Sequence, residues 1–331
     1  MPELPEVENL RRGLLKRIRG QKIKKITINK PKLVSGKGNN RRASTKKARE
    51  FIRGLRGETI QDIERRAKNL IFHMRSGKIL LVHLKMSGQF VYVAKDGKQV
   101  FEGGHPIIFD SGHTILPSIA FKRRRVELPA VAHKSELWRA PSEKLLPNKH
   151  THVIFELSKG TLFYNDTRMF GYLLYFPDIQ KLLETEHFHN LGLEPFDSHF
   201  DLKYFEKELK ARKSKLKTVL MDQSIVTGLG NIYCDEVCFA AGVRPTRTAA
   251  SLKPNEIKKL YITIQHILQK AIKLGGSSVA TYRLVDGSRG NYAREHRVYD
   301  KAGKPCVICG EDLSKTTINN RTTVYCKHCQ K

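Results

Sequence analysis

The chain is short of acid. It has 32 Asp and Glu against 61 Lys and Arg, a formal net charge of +29 over 331 residues. An excess of cations on that scale needs a polyanion as partner: nucleic acid or, less often, an acidic membrane. Long apolar runs are missing as well. No stretch approaches the roughly 20 consecutive apolar residues of a membrane span. The apolar positions after Val7 are broken by charges, so no signal peptide is expected. The positive charge is spread along the whole sequence rather than along one amphipathic helix, which favours nucleic acid. A solvated basic surface without a specific partner is the plainer alternative. There is no internal repeat, and Trp138 is the only tryptophan. Cysteine is sparse and unevenly placed: Cys234 and Cys238 stand four apart, while Cys306, Cys309, Cys326 and Cys329 share the last 26 residues. The expectation is a soluble, intracellular protein, cytoplasmic and monomeric, with no membrane partner.

The 40% hydrophobic content allows a core in each of two domains. Val7, Leu10, Leu14, Leu15 and Ile18 form a helical stripe over residues 5–19, with Gly20 as a stop. Ile23, Ile26 and Ile28 mark a strand over 22–30. Residues 30–47 are basic and polar and read as a loop, and 48–55 as a short helix. Strands are expected over 59–64, 70–74, 79–84 and 89–93, then over 151–157, 161–164 and 169–176. The segment at about 96–147 has no clear period beyond short strands near 106–109 and 114–120. It reads as an insertion with a solvated basic face or as an extra nucleic-acid contact. His105, His113 and His133 lack ligand spacing. Residues 195–200 look like a linker. Helices are expected over 201–212, 215–222, 231–241 and 254–274, followed by a polar loop over 278–296.

Three stretches carry chemistry. At the N-terminus, removal of Met1 would leave Pro2 as a secondary amine whose ordinary pKa of about 8 keeps a usable fraction unprotonated. Glu3 and Glu6 stand beside it, and an amine nucleophile next to a carboxylic acid is the logic of Schiff-base catalysis. The plainer alternative is an acidic leader with helix-starting prolines. At the other end, two CxxC turns hold Cys306, Cys309, Cys326 and Cys329. This spacing fits one tetrahedral zinc ion, structural because no position remains for water. His328 lies inside the second turn. Residues 321–325 between the turns read as a strand that displays Arg321. In the middle, residues 220–233 read as helix, two turns and helix. Gly228 and Gly230 allow close backbone approach, and Asn231 suits an N-cap whose helix could take a phosphate.

The combination resembles the formamidopyrimidine-DNA glycosylases of the Fpg/Nei superfamily, over nearly the whole chain except about 96–147 and the loop at 30–47. The start at Pro2–Glu8 is similar to this branch, where the endonuclease VIII branch differs. Arg65-Arg66-Ala67-Lys68 resembles the family's strand-turn lysine, and His83-Leu84-Lys85-Met86-Ser87-Gly88 its intercalation loop. Lys149-His150-Thr151-His152-Val153 and Asp166-Thr167-Arg168-Met169-Phe170-Gly171 resemble two further motifs. Thr167 and Met169 depart from the residues usual there.

The resemblance implies an α+β fold: an N-terminal β-sandwich with flanking helices (1–195), a helix-two-turns-helix domain with a lesion-capping loop (201–295) and a zinc-finger hairpin (296–331). It implies excision of oxidised purines from damaged double-stranded DNA in base excision repair, followed by β,δ-elimination. Pro2 would attack the sugar C1′, Glu3 would donate the proton, and Glu6 would support both. Lys68 would assist the β step and Arg321 the δ step. His150, Lys213 and Asn231 would contact DNA, and Met86, Arg168 and Phe170 would fill the space of the extruded nucleotide. Two alternatives stay open on the residues alone: an endonuclease VIII-like enzyme for oxidised pyrimidines, and a zinc protein that binds DNA without chemistry.

Overall fold

The computed structural model describes residues 1–38, 41–96, 100–104, 146–277 and 290–331. Most of the expected insertion, with Trp138 and the strands near 106–109 and 114–120, lies outside the described residues, as does the loop from 278 to 289.

Helix α1 (Leu4–Ile18) opens the fold. Its stripe Val7, Leu10, Leu14 and Ile18 is fully buried in the first core. Leu4, one turn earlier, is buried instead in a second core built from the helical half. The N-terminus is thereby wedged between two cores. Asn9 adds a tie across the junction, donating through Nδ2 to the carbonyl of Ile272 at 3.2 Å.

Among the described residues, two antiparallel sheets face each other across the first core. One has the order β1-β7-β8-β5-β6 (Ile23–Ile28, Thr151–Leu157, Gly160–Asp166, Gly88–Ala94, Val100–Gly104). The other has the order β2-β3-β4-β9 (Ile60–Arg66, Asn69–Met74, Ile79–His83, Tyr172–Phe176). Alternation decides which residues face inward: Leu70, Phe72 and Met74 of β3 enter the shared core with Phe90, Phe155 and Tyr164. Ile71 points the other way, joining Ile79, Leu81 and Tyr172 under Leu182 and Phe188. Those two come from α3 (Ile179–Leu183) and α4 (Glu186–His189), helices absent from the sequence reading. Helix α2 (Thr45–Leu55) starts three residues earlier than expected because Ser44 caps it, accepting from Lys47 N at 3.2 Å. The basic loop before it contains a 3-10 turn, Pro31–Val34.

The helical half packs α5 (Leu202–Lys210), α6 (Leu216–Met221), α7 (Asn231–Ala240) and α8 (Pro254–Lys273) around Phe205, Leu220, Tyr233 and Leu260. The end of the expected polar loop is a 3-10 turn, Tyr292–Glu295. The tail is a hairpin of β10 (Ser314–Ile318) and β11 (Arg321–Tyr325), turned by Asn319 and Asn320 at φ of 46° and 57°. A small core of Phe239, Val298, Leu313 and Val324 joins it to α7.

Candidate active site and DNA-facing loops

The helix-two-turns-helix segment meets the N-terminus rather than standing apart from it. Leu4 N donates to the carbonyl of Gly228 at 3.0 Å. A Cβ on Gly228 would sit 2.5 Å from that of Leu4, and φ of 90° already restricts the position to glycine. A Cβ on Gly230 would sit 2.5 Å from the Glu3 carboxylate. These glycines make room for the chain's own first residues. Gly230, not Asn231, is the N-cap of α7; Asn231 is the first residue inside the helix. The cap is supplied from outside: Glu3 accepts from Ile232 N at 2.9 Å and from Tyr233 N at 3.4 Å. The helix end expected for a phosphate is thus occupied by a carboxylate, which the positive end of the helix favours.

Around Glu3 the groups are buried and mutually bonded. Pro2, Glu3 and Glu6 are all buried. Glu6 accepts from Glu3 N at 2.8 Å, from the Tyr233 hydroxyl at 2.7 Å and from Ser277 N at 2.6 Å. Burial raises its pKa, with Glu3 next, against the hydrogen bonds. The Met1 side chain is half exposed while its amine sinks inward. Burial lowers the pKa of that amine; Glu3 and Glu6 oppose the shift, and Lys68 and Arg321 add to it. Charges of Lys68 and Arg321 therefore act on the chain's amine, as do both carboxylates.

Lys68 follows Ala67 in the two-residue turn between β2 and β3. Ala67 holds φ of 55°, and its N donates to Glu194 at 2.5 Å. Arg65 braces the turn between Glu8 and Glu194. The buried Lys68 ammonium donates to the carbonyl of Leu229 at 2.6 Å. Burial lowers its pKa against the pull of Glu3.

Two loops at the sheet edges form a separate group. Met86 is exposed, and Arg168 Nη1 donates to its sulfur at 3.4 Å. Strand β9 begins at Tyr172, not at 169, because Asp166 takes the backbone N–H of Arg168, Met169 and Gly171. Phe170 is half-buried. His150 is half-buried beside the same turn, its carbonyl accepting from Asp166 N at 3.0 Å. The non-glycine residues Ala67, Lys85 and Met169 all have left-handed φ and adjoin Lys68, Met86 and Arg168. Strain of this kind gathers where the surroundings fix a functional geometry. Lys213 is exposed on the α5–α6 connection.

Asn231 and Arg321 line one cavity of about 450 Å³ with Tyr299, Lys315, Asn320 and Thr322. The Asn231 Oδ1 is buried there without a hydrogen-bond partner. In the finger the four cysteine sulfurs lie within 4.8 Å of one another. Cys306 and Cys329 are 3.8 Å apart, and Cys309 and Cys326 3.5 Å. A tetrahedron with about 2.3 Å zinc–sulfur bonds has edges of about 3.8 Å, so these residues fit one structural zinc. His328 points elsewhere, to Glu311 at 3.4 Å. The sequence reading missed Tyr233, Ser277, Glu194 and the binding role of Asp166. Only Asp166 carried a signal, inside its motif.

Residues 1–173 match the formamidopyrimidine-DNA glycosylase N-terminal domain, residues 191–283 the formamidopyrimidine-DNA glycosylase H2TH domain, and residues 303–331 the zinc finger found in FPG and IleRS. The chain is 33% identical over 330 residues to the formamidopyrimidine-DNA glycosylase of Desulfitobacterium hafniense, covering 100% of each. It is 34% identical to that of Bacillus cereus, covering 100% of this chain and 99% of the relative. Among solved structures it is similar to a Lactococcus lactis FPG mutant in complex with Fapy-dG DNA, at a TM-score of 0.76, 33% identity and full coverage of both chains. It is equally similar to MutM in complex with carbocyclic 8-oxo-G DNA, at a TM-score of 0.75, 33% identity and full coverage of both. Over its whole length, the chain belongs to the formamidopyrimidine-DNA glycosylase family.

Proposed function

We propose that this chain excises oxidised purines, 8-oxoguanine and formamidopyrimidines, from duplex DNA and then cleaves the strand, with its N-terminal amine as nucleophile. The carrying observation is the convergence of Glu3, Glu6, Lys68 and Arg321 on the Met1 amine, one residue before the buried Pro2. Once Met1 is removed, the Pro2 nitrogen attacks C1′ while the C1′–base bond breaks. Glu3 supplies the proton that opens the sugar or accompanies the base. The resulting iminium makes the 2′ proton acidic. Its loss, assisted by Lys68, expels the 3′ phosphate, and a second elimination, assisted by Arg321, expels the 5′ phosphate. Glu6 holds Glu3 and the terminus in register. Burial supports the scheme, because at this place it moves the Met1 amine and Lys68 toward their neutral forms.

The target nucleotide must leave the duplex, at a cost of a few kcal/mol. Met86, Arg168 and Phe170 fill its place, and His150, Lys213 and Asn231 contact the backbone. Amide oxygen and nitrogen exchange by a flip, so the position of the unpartnered Asn231 Oδ1 can offer a donor to a phosphate, while the other amide atom keeps Tyr299. Zinc, held by Cys306, Cys309, Cys326 and Cys329, braces the hairpin that carries Arg321 and takes no part in the chemistry. The working units are residues 1–195, 201–295 and 296–331. The protein acts as a cytoplasmic monomer on DNA, with no membrane partner. Support for this is the net charge of +29 and the reduced thiols that a four-cysteine site needs; among the described residues no helix is long and apolar enough to cross a membrane.

The test is borohydride trapping on a duplex with one 8-oxoguanine opposite cytosine, with wild type and Pro2→Gly. A covalent adduct from wild type that is lost or sharply reduced in the variant supports the reading. No adduct on this duplex, on an oxidised pyrimidine or on an abasic site would leave a DNA-binding protein without the chemistry.

A further inference from the structure

Asp166 is fully buried at the end of β8 and collects five donors. Its Oδ1 accepts from the Ser87 hydroxyl, in a short bond, and from Arg168 N and Met169 N at 3.1 Å and 3.0 Å. Its Oδ2 accepts from Gly171 N at 2.8 Å and from the Tyr164 hydroxyl at 3.5 Å. Ser87 does double duty: its Oγ also accepts from Arg168 N at 3.1 Å. The loop that carries Met86 and the loop that carries Arg168 therefore share one carboxylate and one hydroxyl.

The surroundings fix this knot. His152 Nε2 meets the Asp166 carbonyl at 2.8 Å. Arg41 donates to the carbonyls of Met169, at 3.2 Å, and Gly171. A Cβ on Gly171 would collide with the Tyr164 hydroxyl, so only glycine lets the turn close on Asp166. Lys85 and Met169 hold left-handed φ of 51° and 53°, one on each loop and each next to its exposed tip. Such conformations persist only when hydrogen bonds over-determine them.

We propose that Asp166, acting through Ser87, is a positioning residue that couples the two loops into one wedge. Met86 and Arg168 then enter the duplex together, and what Arg168 meets on the opposite strand governs whether Met86 stays inserted. Asp166 touches no reacting atom; it makes excision depend on the base opposite the lesion. The inference rests on the functional reading above, which places both tips in the space of the extruded nucleotide. A carboxylate is needed because both oxygens act only as acceptors. An amide would turn two hydrogens toward either Ser87 or Gly171 N.

The experiment compares wild type, Ser87→Ala and Asp166→Asn. It measures excision of 8-oxoguanine opposite cytosine and opposite adenine, cleavage of an abasic site in single-stranded DNA, and fluorescence of a 2-aminopurine placed opposite the lesion. Losing a hydrogen bond to a charged group predicts a fall of about tenfold in the ratio of duplex excision to single-strand cleavage. The preference for cytosine over adenine shrinks, and the 2-aminopurine signal that reports wedge insertion weakens. Single-stranded DNA has no duplex to wedge open, so a merely structural role would lower both activities together and leave the opposite-base preference intact. That result overturns the coupling. If Asp166→Asn does not fold, Ser87→Ala decides, since it removes only the two bonds of the Ser87 hydroxyl, to Asp166 and from Arg168 N. An active wild type with Ser87→Ala unchanged removes the coupling alone. A wild type that forms no borohydride adduct removes the functional reading and the coupling with it.

Discussion

Glu3 places its Oε1 2.9 Å from the backbone nitrogen of Ile232, so a carboxylate from the chain's first turn caps a helix 229 residues away. The same side chain is the expected proton donor. Its position is therefore set by the end of a helix, and Gly230 is the residue that lets it approach.

Gly230→Ala tests that relationship. The added Cβ would meet the Glu3 carboxyl at 2.5 Å, but φ of −143° suits any residue. A side-chain end can swing away, so stability should change by only about 1 kcal/mol, the worth of a helix cap. Excision should fall by about 10²-fold, the lower range for a displaced acid–base group. Gly228→Ala should do the reverse. Its φ of 90° and the buried Leu4 leave nothing free to move, and thermal melting should show a loss of about 1–3 kcal/mol. Equal losses of stability in both variants would reject the assignment.

The amine predicts a pH profile. It attacks only as the free base. Burial disfavours the ammonium of Met1, and Lys68 and Arg321 add to that; Glu3 and Glu6 oppose it without cancelling it. Pro2, which carries the amine once Met1 is removed, is itself buried. The acid limb of the single-turnover trapping rate should therefore have its midpoint below the ordinary value of about 8. A midpoint above it would mean that the two carboxylates dominate once Pro2 is the terminus.

Zinc removal should act on the tail before the rest. The finger's own core is small, and two of its members are the ligands Cys306 and Cys326. Structural zinc supplies about 10–16 kcal/mol in small fingers, more than that core can replace. Chelation should expose residues 303–331 to protease, weaken DNA binding and slow the δ step, while the β-sandwich still melts cooperatively. Resistance to protease after complete metal release would contradict this.

A buried ion pair sets the angle of the hairpin. Lys217 and Asp235 are fully buried, 2.7 Å apart. Lys217 also donates to the carbonyl of Thr322, and Asp235 accepts from Val324 N, so both hold the strand that begins at Arg321. Lys217→Met alone strands a carboxylate and should cost about 3–5 kcal/mol in urea unfolding. The double variant Lys217→Met, Asp235→Leu should recover most of that loss but not the δ-elimination rate, because Arg321 is no longer held. Recovery of both would separate the pair from the site.

What the sequence showed and what it hid divide along contact distance. The stripe on α1, the alternation in β3 and the cysteine spacing are local patterns, and the structure follows each. Lys68 and Arg321 stood in recognisable motifs and both lie in hairpin turns or at their edge. Helices α3 and α4 escaped notice because five and four residues are too few to display a 3.6-residue period. Asn231 was misplaced for a different reason. Its sequence neighbourhood looks like a cap, and nothing nearby reveals that Glu3 takes the role from across the chain. The bond from Ser277 to Glu6 is equally non-local, at 271 residues.

Lys68 offers the sharpest separation of chemistry from structure. Its ammonium is buried and its pKa is lowered by that burial, so the charge costs stability rather than adding it. Its acceptor, the carbonyl of Leu229, also receives Gln223 Nε2 at 3.0 Å and would not be stranded. Lys68→Met should therefore leave stability unchanged or raise it by about 1 kcal/mol, as apolar replacement of a buried charge can do. The neighbouring turn should hold, since Glu194 grips Ala67 and Arg65 rather than Lys68. Strand cleavage should nonetheless fall by about 10²–10⁴-fold, the usual worth of a positioned acid–base group. Quench-flow measurement of base release and of strand nicking on one duplex separates the steps. If Lys68 serves the elimination, nicking slows more than base release; if it is a packing residue, the two rates stay together and the melting temperature falls.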